Sequence, residues 1–258
     1  MITSASNGKI KTIQNLRKKA KFRKEEKLFI IEGTRLFQET PKDLLKEVYV
    51  SENAENSLKS ELTDVKYEVI SDNIFTSICD TQTPQGILAV VKQPQHSIEE
   101  ILNKEKPLLL ILEDLQDPGN LGTIMRTAEG AGVTGIIMSK GCVDMYNPKV
   151  VRSTMGSVYR MPFVYLENEE EFSTIFNKLK EKGVVTYGAA LMESQDYDNY
   201  SYESGTAFVI GNEGNGLSET ALSLCQKYVK IPMCGQLESL NAAVASSILM
   251  YEAFRQRR

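Results

Sequence analysis

One stretch near the C-terminus combines residue types that suit a ligand-binding loop. The apolar run Ala207 to Ile210 predicts a strand, and the loop GNEGNGLS follows it from Gly211 to Ser218, where the serine can cap a helix. A structural turn needs one or two glycines for positive φ, whereas this loop sets three glycines around the Glu213 carboxylate and two amides. We therefore favour a ligand loop over an ordinary crossover turn.

The same pattern recurs further along the chain. Tyr228 to Ile231 predicts a strand, Pro232 to Glu238 a loop, and a long apolar helix starts near Ser239. Loops that leave the ends of parallel strands are where α/β proteins bind ligands. The GNEGNG loop has neither the GxGxxG spacing of a dinucleotide-binding fingerprint nor the GK(S/T) of a P-loop, so those two nucleotide sites have no support.

A third stretch, DPGNLGTIMRTAEGAG from Asp117 to Gly132, predicts a helix that presents an arginine. Its apolar stripe comprises Leu121, Ile124, Ala128 and Ala131. Helical geometry turns Arg126 away from that stripe. The arginine is either solvated, which is the usual case, or presented to a phosphate or carboxylate.

Composition excludes several classes of protein. The 258 residues, 41% hydrophobic and 25% charged with a net charge of −4, are typical of a globular protein with one large or two modest domains. The sequence has no long apolar run and no apolar signal core at its start, so we expect a cytoplasmic protein without a membrane segment. His96 is the only histidine, and the four cysteines lack CxxC spacing. We therefore expect no metal site and no disulfide framework.

Basic residues are concentrated at the start of the chain. Nine lysines and arginines lie between Lys9 and Lys27, opposed only by Glu25 and Glu26. The spacing of Ile10, Ile13, Leu16 and Ala20 predicts one helix with a buried face and a basic face. Such a helix is either a solvated arm or a surface for phosphates, and we favour nucleic acid.

The pattern of strands and helices indicates two α/β domains. We place the first at residues 1–95, a polar linker at 96–106, and the second domain, with a parallel sheet, at 107–258. Predicted strands of the first domain are Leu28 to Ile31, Glu47 to Val50, Tyr67 to Ile70 and Ile87 to Val91, and its predicted helices are Thr34 to Glu39, Ala54 to Leu62 and Asp72 to Cys79. Predicted strands of the second are Leu108 to Leu112, Gly135 to Met138, Met161 to Tyr165, Val184 to Gly188, Ala207 to Ile210 and Tyr228 to Ile231. Its predicted helices are Leu121 to Gly130, Pro148 to Tyr159 capped by Asn147, Glu169 to Lys182 capped by Asn168, Glu219 to Gln226 and Leu240 to Arg257.

Three motifs together resemble those of a known family. Asn120, Gly122, Arg126 and Ala128, then GNEGNGLS, then IPM at Ile231 with ESLNAAVA from Glu238, resemble the motifs of the SpoU (TrmH) family of RNA ribose 2′-O-methyltransferases, in the SPOUT superfamily. LFIIEGTRLFQE from Leu28 and TPQGILAVV from Thr83 resemble the family's substrate-binding domain, an α/β fold like that of certain ribosomal proteins.

The resemblance implies a catalytic domain with a deep trefoil knot that binds S-adenosylmethionine largely through backbone. Gly211, Ile231 and Leu240 match donor-binding positions, and the same loops hold Asn212, Met233, Ser239 and Asn241. Arg126 is implied to act on the 2′-hydroxyl; we prefer phosphate positioning and alkoxide stabilisation over base catalysis because the pKa of arginine is above ~12. The resemblance adds Asn120, Glu213, Ser239 and Asn241 to the catalytic set, with helix capping as the alternative role for Asn120 and Asn241.

These features predict an S-adenosylmethionine-dependent RNA ribose methyltransferase, with ribosomal RNA favoured over transfer RNA. We expect RNA to contact Lys9, Lys11, Arg17, Lys18, Lys19, Arg23 and Arg35. The family resemblance and an apolar last helix predict a homodimer through the knot and that helix. The alternatives are a non-catalytic RNA-binding protein with the same fold and an NAD-dependent oxidoreductase, for which the sequence has no motif.

Overall fold

The structure, a computed structural model, describes residues 1–191, 193–237 and 239–258. The predicted motif residue Glu238 therefore lies outside the described residues. Two units form around two separate sheets: Met1–Gln95 with Asp144–Tyr159, and His96–Val143 with Arg160–Arg258. In chain order the elements are α1 (Gly8–Lys18), α2 (Ala20–Glu26), β1 (Leu28–Glu32), α3 (Thr34–Glu39), β2 (Leu45–Ser51), β3 (Glu68–Ile70), α4 (Asp72–Ile78), β4 (Ile87–Lys92), α5 (Ile98–Leu102), β5 (Leu108–Leu112), α6 (Pro118–Gly130), β6 (Gly135–Met138), α7 (Pro148–Thr154), β7 (Phe163–Tyr165), α8 (Glu169–Glu181), β8 (Val185–Ala189), β9 (Gln195–Asp196), β10 (Thr206–Ile210), α9 (Glu219–Leu224), β11 (Lys227–Lys230) and α10 (Ala242–Arg257), with 3₁₀ turns at Ser157–Tyr159 and Tyr197–Asn199.

The first unit is built on a four-stranded sheet in the order β1-β4-β2-β3. The strands β1 and β2 pair antiparallel with β4, and β3 runs parallel to β2. One core cluster includes Ile10, Ile13 and Leu16 of α1 together with Phe75 and Ile78 of α4. The first helix therefore belongs to the core of its unit.

The basic N-terminal helix is two helices, so the prediction of one continuous helix is wrong. Lys19 has φ −121 and ends α1 before α2 begins. Arg23 of α2 folds back, and its Nη1 donates hydrogen bonds to the carbonyl oxygens of Leu16 and Arg17. These carbonyls at the end of α1 thereby gain a cationic partner.

The predicted helix Ala54 to Leu62 is also wrong, because the segment forms consecutive turns. Its backbone hydrogen bonds alternate in span: Ser57 N donates to Ala54 O, and Leu58 N donates to the same oxygen. The Ser57 hydroxyl also donates to Ala54 O. Serines that bond nearby backbone compete with a regular helix.

The second unit is built on a seven-stranded parallel sheet in the order β7-β6-β5-β10-β8-β11-β9. All five residues of β5 and of β10 are buried, as expected for strands covered on both faces. In this sheet, Ile210 of β10 lies opposite Leu112 of β5, and Val209 of β10 lies opposite Gly188 of β8. The C-terminal ends of the three central strands therefore meet at one edge, which carries the predicted ligand loops.

Helix starts follow the predicted caps. Asn147, Asn168 and Ser218 accept hydrogen bonds from Lys149 N, Glu171 N and Ala221 N respectively. The last helix begins at Ala242, not at the predicted Leu240, because Asn241 is its N-cap.

The segment predicted as a linker contains α5, whose Ile101 and Leu102 are buried in the second unit. Within the described ranges, no helix has the length and apolarity to cross a bilayer.

Candidate active site

The glycine loop after β10 folds back on itself. Asn212 N donates to Gly216 O at 3.0 Å, and Gly216 N donates to Asn212 O at 2.9 Å. The Asn212 Oδ1 accepts from Gly214 N and Asn215 N. A Cβ on Gly211 would lie 2.2 Å from the carbonyl carbon of Gly216. The close approach that the glycines predict is thus one made by the loop's own backbone.

A cavity of about 550 Å³ opens where these strands end. Ile210, Ala189 and Ile231 lie at or beside the ends of β10, β8 and β11, and α10 contributes Ala242. Six of the seven predicted donor residues line it: Gly211, Asn212, Ile231, Met233, Ser239 and Leu240. Among the described lining residues only Glu213 and Lys230 carry ionisable side chains. Small and apolar walls with many backbone groups fit a nucleoside-bearing donor held largely by backbone.

Three predicted catalytic residues form one hydrogen-bonded network beside this cavity. The Asn120 Nδ2 donates to Glu213 Oε1 at 3.0 Å, and the Asn241 Nδ2 donates to Asn120 Oδ1 at 2.9 Å. The network thus joins the starts of α6 and α10 to the glycine loop. All three motif segments meet here, although they are distant in sequence.

Helix capping, the alternative role predicted for Asn120 and Asn241, is found for Asn241 only. Asn241 Oδ1 accepts hydrogen bonds from Ala243 N and Val244 N, so this residue caps α10 and joins the network with the same amide. Asn120 lies inside α6, where Asp117 is the N-cap and accepts from Asn120 N at 2.7 Å. The buried Asn120 side chain therefore serves the network alone.

Glu213 is surrounded by hydrogen-bond donors. Its carboxylate accepts from Gln116 N, Asp117 N and Asn120 Nδ2. Burial raises the pKa of this carboxyl, but the hydrogen bonds from Asn120 and from backbone amides outweigh burial and hold the pKa below its ordinary value. The ionised carboxylate orients Asn120 and the start of α6.

The structure does not bring Arg126 into this network. Arg126 is exposed on α6, about 9 Å along the helix axis from Asn120 at 1.5 Å per residue. Among the residues that the structure describes, its guanidinium forms no hydrogen bond or ion pair, and it does not line the cavity. The side chain is available to an external anion.

The basic residues predicted to contact RNA divide into two groups. Lys11, Lys18, Lys19 and Arg35 are exposed. Lys9 and Arg17 instead have partners within the protein. Lys9 pairs with Glu68, and Arg17 Nη1 donates to the carbonyl oxygens of Ser77 and Cys79.

Arg23 is a correction to the predicted RNA contacts. It is 4% exposed, and its Nε donates to Asp144 Oδ2 at 2.7 Å while its Nη1 holds the end of α1. A buried guanidinium whose donors are used inside its own unit cannot reach a phosphate.

Residues at the end of β5 also contact the glycine loop, although they belong to none of the predicted site motifs. Glu113 accepts hydrogen bonds from Ser218 N and Oγ, and Asp114 O accepts from Asn212 Nδ2. Two acidic residues directly after the apolar run Leu108–Leu112 were the available signal. Asp117 was detectable as well, because Asp before Pro118 is a typical start of a helix.

Comparison with known proteins identifies both parts of the chain. Residues 107–251 match the model of the SpoU rRNA Methylase family, and residues 7–89 match the MRM3-like substrate binding domain. The 23S rRNA (guanosine(2553)-2′-O)-methyltransferase RlmP of Bacillus subtilis is 35% identical over 253 residues, with 97% of each chain covered. Human mitochondrial rRNA methyltransferase 3 is 32% identical, with 97% of this chain and 73% of the human protein covered.

Solved structures agree with this match. The SpoU methyltransferase AviRb from Streptomyces viridochromogenes, in complex with the cofactor AdoMet, superposes with a TM-score of 0.87 at 28% identity, covering 97% of this chain and 98% of AviRb. The chain therefore belongs to the SpoU rRNA methylase family, and the predicted family membership is confirmed.

Proposed function

We propose that the protein transfers a methyl group from S-adenosylmethionine to a ribose 2′-hydroxyl of ribosomal RNA. The network of Asn120, Glu213 and Asn241 at the cavity carries this proposal, because it assembles the three motifs of the family at one place. Family membership confirms the predicted enzyme class. The names of the bacterial and human relatives, both ribosomal RNA methyltransferases, support the substrate.

The donor would occupy the cavity of about 550 Å³. When bound, S-adenosylmethionine supplies a methyl group activated by a positively charged sulfur. Gly211, Ile231 and Leu240 would hold it, with Asn212, Met233, Ser239 and Asn241 in the same loops. The AdoMet-bound structures of AviRb and of the Sinorhizobium meliloti rRNA methyltransferase support this assignment.

Methyl transfer forms a bond from the ribose 2′-oxygen to the methyl carbon, leaves the electrons of the broken carbon–sulfur bond on the donor sulfur, and releases the hydroxyl proton to solvent. The hydroxyl must be aligned with the methyl group for this displacement. Glu213 is engaged by Gln116 N, Asp117 N and Asn120 Nδ2, which suits it to orienting Asn120 rather than to accepting that proton. Arg126, whose guanidinium has no partner among the described residues, would hold an RNA phosphate and stabilise charge that develops on the 2′-oxygen. Ser239 and Asn241 would complete the pocket.

Three broader features belong to the same proposal. The family relationship supports a trefoil knot in the second unit. A homodimer is supported by α10, which exposes Val244, Tyr251 and Phe254 at helical spacing. The substrate would place the protein in the compartment that holds its ribosomes, which the sequence predicts to be the cytoplasm.

Two measurements test the proposal against a non-catalytic RNA-binding role. Calorimetry should detect one S-adenosylmethionine site per chain, and ribosomal RNA from a strain that lacks the gene should gain one ribose methylation on incubation with protein and donor. Mass-spectrometric mapping locates the modified nucleotide. RNA binding without donor binding would support the non-catalytic alternative instead.

A further inference from the structure

The glycine loop is closed by its own hydrogen bonds, so its position over the cavity depends on the bonds it makes to other segments. Asn212 and Gly216 close it with reciprocal backbone hydrogen bonds, and Asn212 Oδ1 holds the two residues at its tip. These bonds fix the shape of the loop but not its place over the cavity. What attaches it to the sheet therefore decides where its backbone meets the donor.

Described side chains attach the loop to the segment after β5 at three points. In the middle, Glu213 binds the start of α6. At its beginning, Asn212 Nδ2 donates to Asp114 O at 2.8 Å. At its end, Ser218 bonds to Glu113.

The attachment at the beginning of the loop depends on Asp114, whose backbone is in the left-handed conformation. Asp114 has φ 51, a conformation that aspartate tolerates better than most residues. Its N donates to Ser139 Oγ at 2.9 Å, and that hydroxyl donates back to Asp114 Oδ1 at 2.6 Å. These bonds fix the direction of the carbonyl that receives Asn212.

The last attachment depends on one carboxylate. Ser218 N donates to Glu113 Oε2 at 2.8 Å and Ser218 Oγ donates to Oε1 at 2.6 Å. The same hydroxyl accepts from Ala221 N, so one chain of hydrogen bonds joins Glu113 to the first turn of α9. Glu113 itself is held to β10, because its N donates to Ile210 O at 2.9 Å.

We propose that Glu113 is a positioning residue that holds the glycine loop in its donor-binding position through Ser218. Glu113 does not line the cavity and acts on the donor only through the loop. The inference rests on the proposed function, since it assumes that the cavity binds S-adenosylmethionine. Its effect should fall on donor affinity, because Glu213 keeps its own bonds to Gln116 N, Asp117 N and Asn120 when the bond between Glu113 and Ser218 is lost.

The test compares two substitutions that each remove one negative charge beside Ser218. Glu113→Gln has only one acceptor oxygen, so if that oxygen faces the Ser218 hydroxyl, the NH2 group faces Ser218 N, which is also a donor. Glu219→Gln, the control, alters an exposed residue at the first position of α9. We expect E113Q to raise the Kd for S-adenosylmethionine about tenfold, as for loss of a charge-assisted hydrogen bond. E219Q should change it less than about twofold. At saturating donor, kcat of E113Q should stay within about twofold of wild type while KM for the donor rises.

A double-mutant cycle separates positioning from general destabilisation. Ser218→Ala keeps the backbone bond to Glu113 and removes the hydroxyl, so the effect of E113Q should be at least about twofold smaller in the S218A background than alone. Fully additive effects, or an unchanged Kd in E113Q, would overturn the role of Glu113. If E113Q does not fold, S218A alone should raise Kd about threefold, and an unchanged value would overturn the inference. Absence of donor binding by the wild type would instead refute the proposed function.

Discussion

At the scale of single residues, Arg126 and Glu213 differ in what surrounds them. Glu213 has its donors supplied by the protein, and those donors keep it ionised. Arg126 has no such partner within the described part of the chain and faces solvent. The first is suited to holding structure, and the second to meeting a ligand that arrives from outside.

Arg126→Lys should lose most of the methylation rate although the charge is kept. A lysine lacks the planar fork that holds a phosphate with two parallel hydrogen bonds. Single-turnover methylation of ribosomal RNA measures the rate, and calorimetry should show an unchanged donor Kd because Arg126 does not line the cavity. Arg255→Lys, an exposed arginine near the end of α10, is the matched control. A rate within about twofold of wild type, only ~0.4 kcal/mol in barrier, would contradict the assignment.

Glu213 should not titrate in the range where the enzyme works. Its pKa in the folded protein lies below the ordinary value of 4.5, so its stabilisation is fully present above that value and is lost only as pH falls through the lower, folded pKa. Glu213→Gln should therefore lower the rate by a similar factor at every pH between about 6 and 9, because a neutral amide cannot accept all the hydrogen bonds of the carboxylate. Rates of both proteins across this range check it. Curves that converge toward acid within the range would show that Glu213 titrates there.

At the scale of elements, the sequence predicted regular segments better than their interruptions. Buried strands such as Leu108–Leu112 and capped helices such as α8 follow patterns of hydrophobicity and capping that lie within a few consecutive residues of the sequence. The break at Lys19 depends on Arg23 and Asp144, which are far apart in sequence. The contact between Asn120 and Asn241 is equally non-local. Motif order placed the site, but only the fold shows which groups bond.

Replacing Arg23 should destabilise the first unit. The Arg23 side chain is 4% exposed and pairs at 2.6 Å with Asp144, which is 26% exposed. Its loss removes this ion pair and the partner of the Leu16 and Arg17 carbonyl oxygens, which together cost about 2 kcal/mol. Arg23→Gln should lower the free energy of unfolding by about that amount, measured by urea denaturation. Lys18→Gln, an exposed residue on the neighbouring helix, should change it by less than about 0.5 kcal/mol. Equal midpoints for the two variants would refute the structural role of Arg23.

At the scale of the whole molecule, the net charge of −4 conceals a basic surface on α1 and at the junction with α2. Lys11, Lys18 and Lys19 are exposed there. Deleting this segment is a poor test of RNA binding, because Ile10, Ile13 and Leu16 belong to the core. Substitution removes the charge and leaves the packing.

Changing Lys11, Lys18 and Lys19 to glutamine together should weaken RNA binding and flatten its salt dependence. If each contacts one phosphate, the slope of log affinity against log salt should fall by about two to three. The control changes Lys104, Lys178 and Lys180, exposed lysines of the second unit, to glutamine with the same loss of charge. Filter binding at several salt concentrations measures both slopes, and equal slopes would remove α1 from the RNA surface. Donor affinity should not change in either variant.

The discontinuous first unit affects how the protein can be made and divided. Its last segment, Asp144–Tyr159, supplies the partner of Arg23, the Tyr146 ring 4.9 Å from that of Phe29, and the Tyr159 hydroxyl bonded to Thr40. During synthesis, Arg23 has no counter-charge until Asp144 has been made, and Thr40 has no Tyr159 hydroxyl to bond until residue 159 has been made. A gene cut after residue 95, where composition suggests a boundary, would encode a module in which Arg23 lacks its Asp144 counter-charge. Exchange of substrate domains between relatives should therefore carry both segments together.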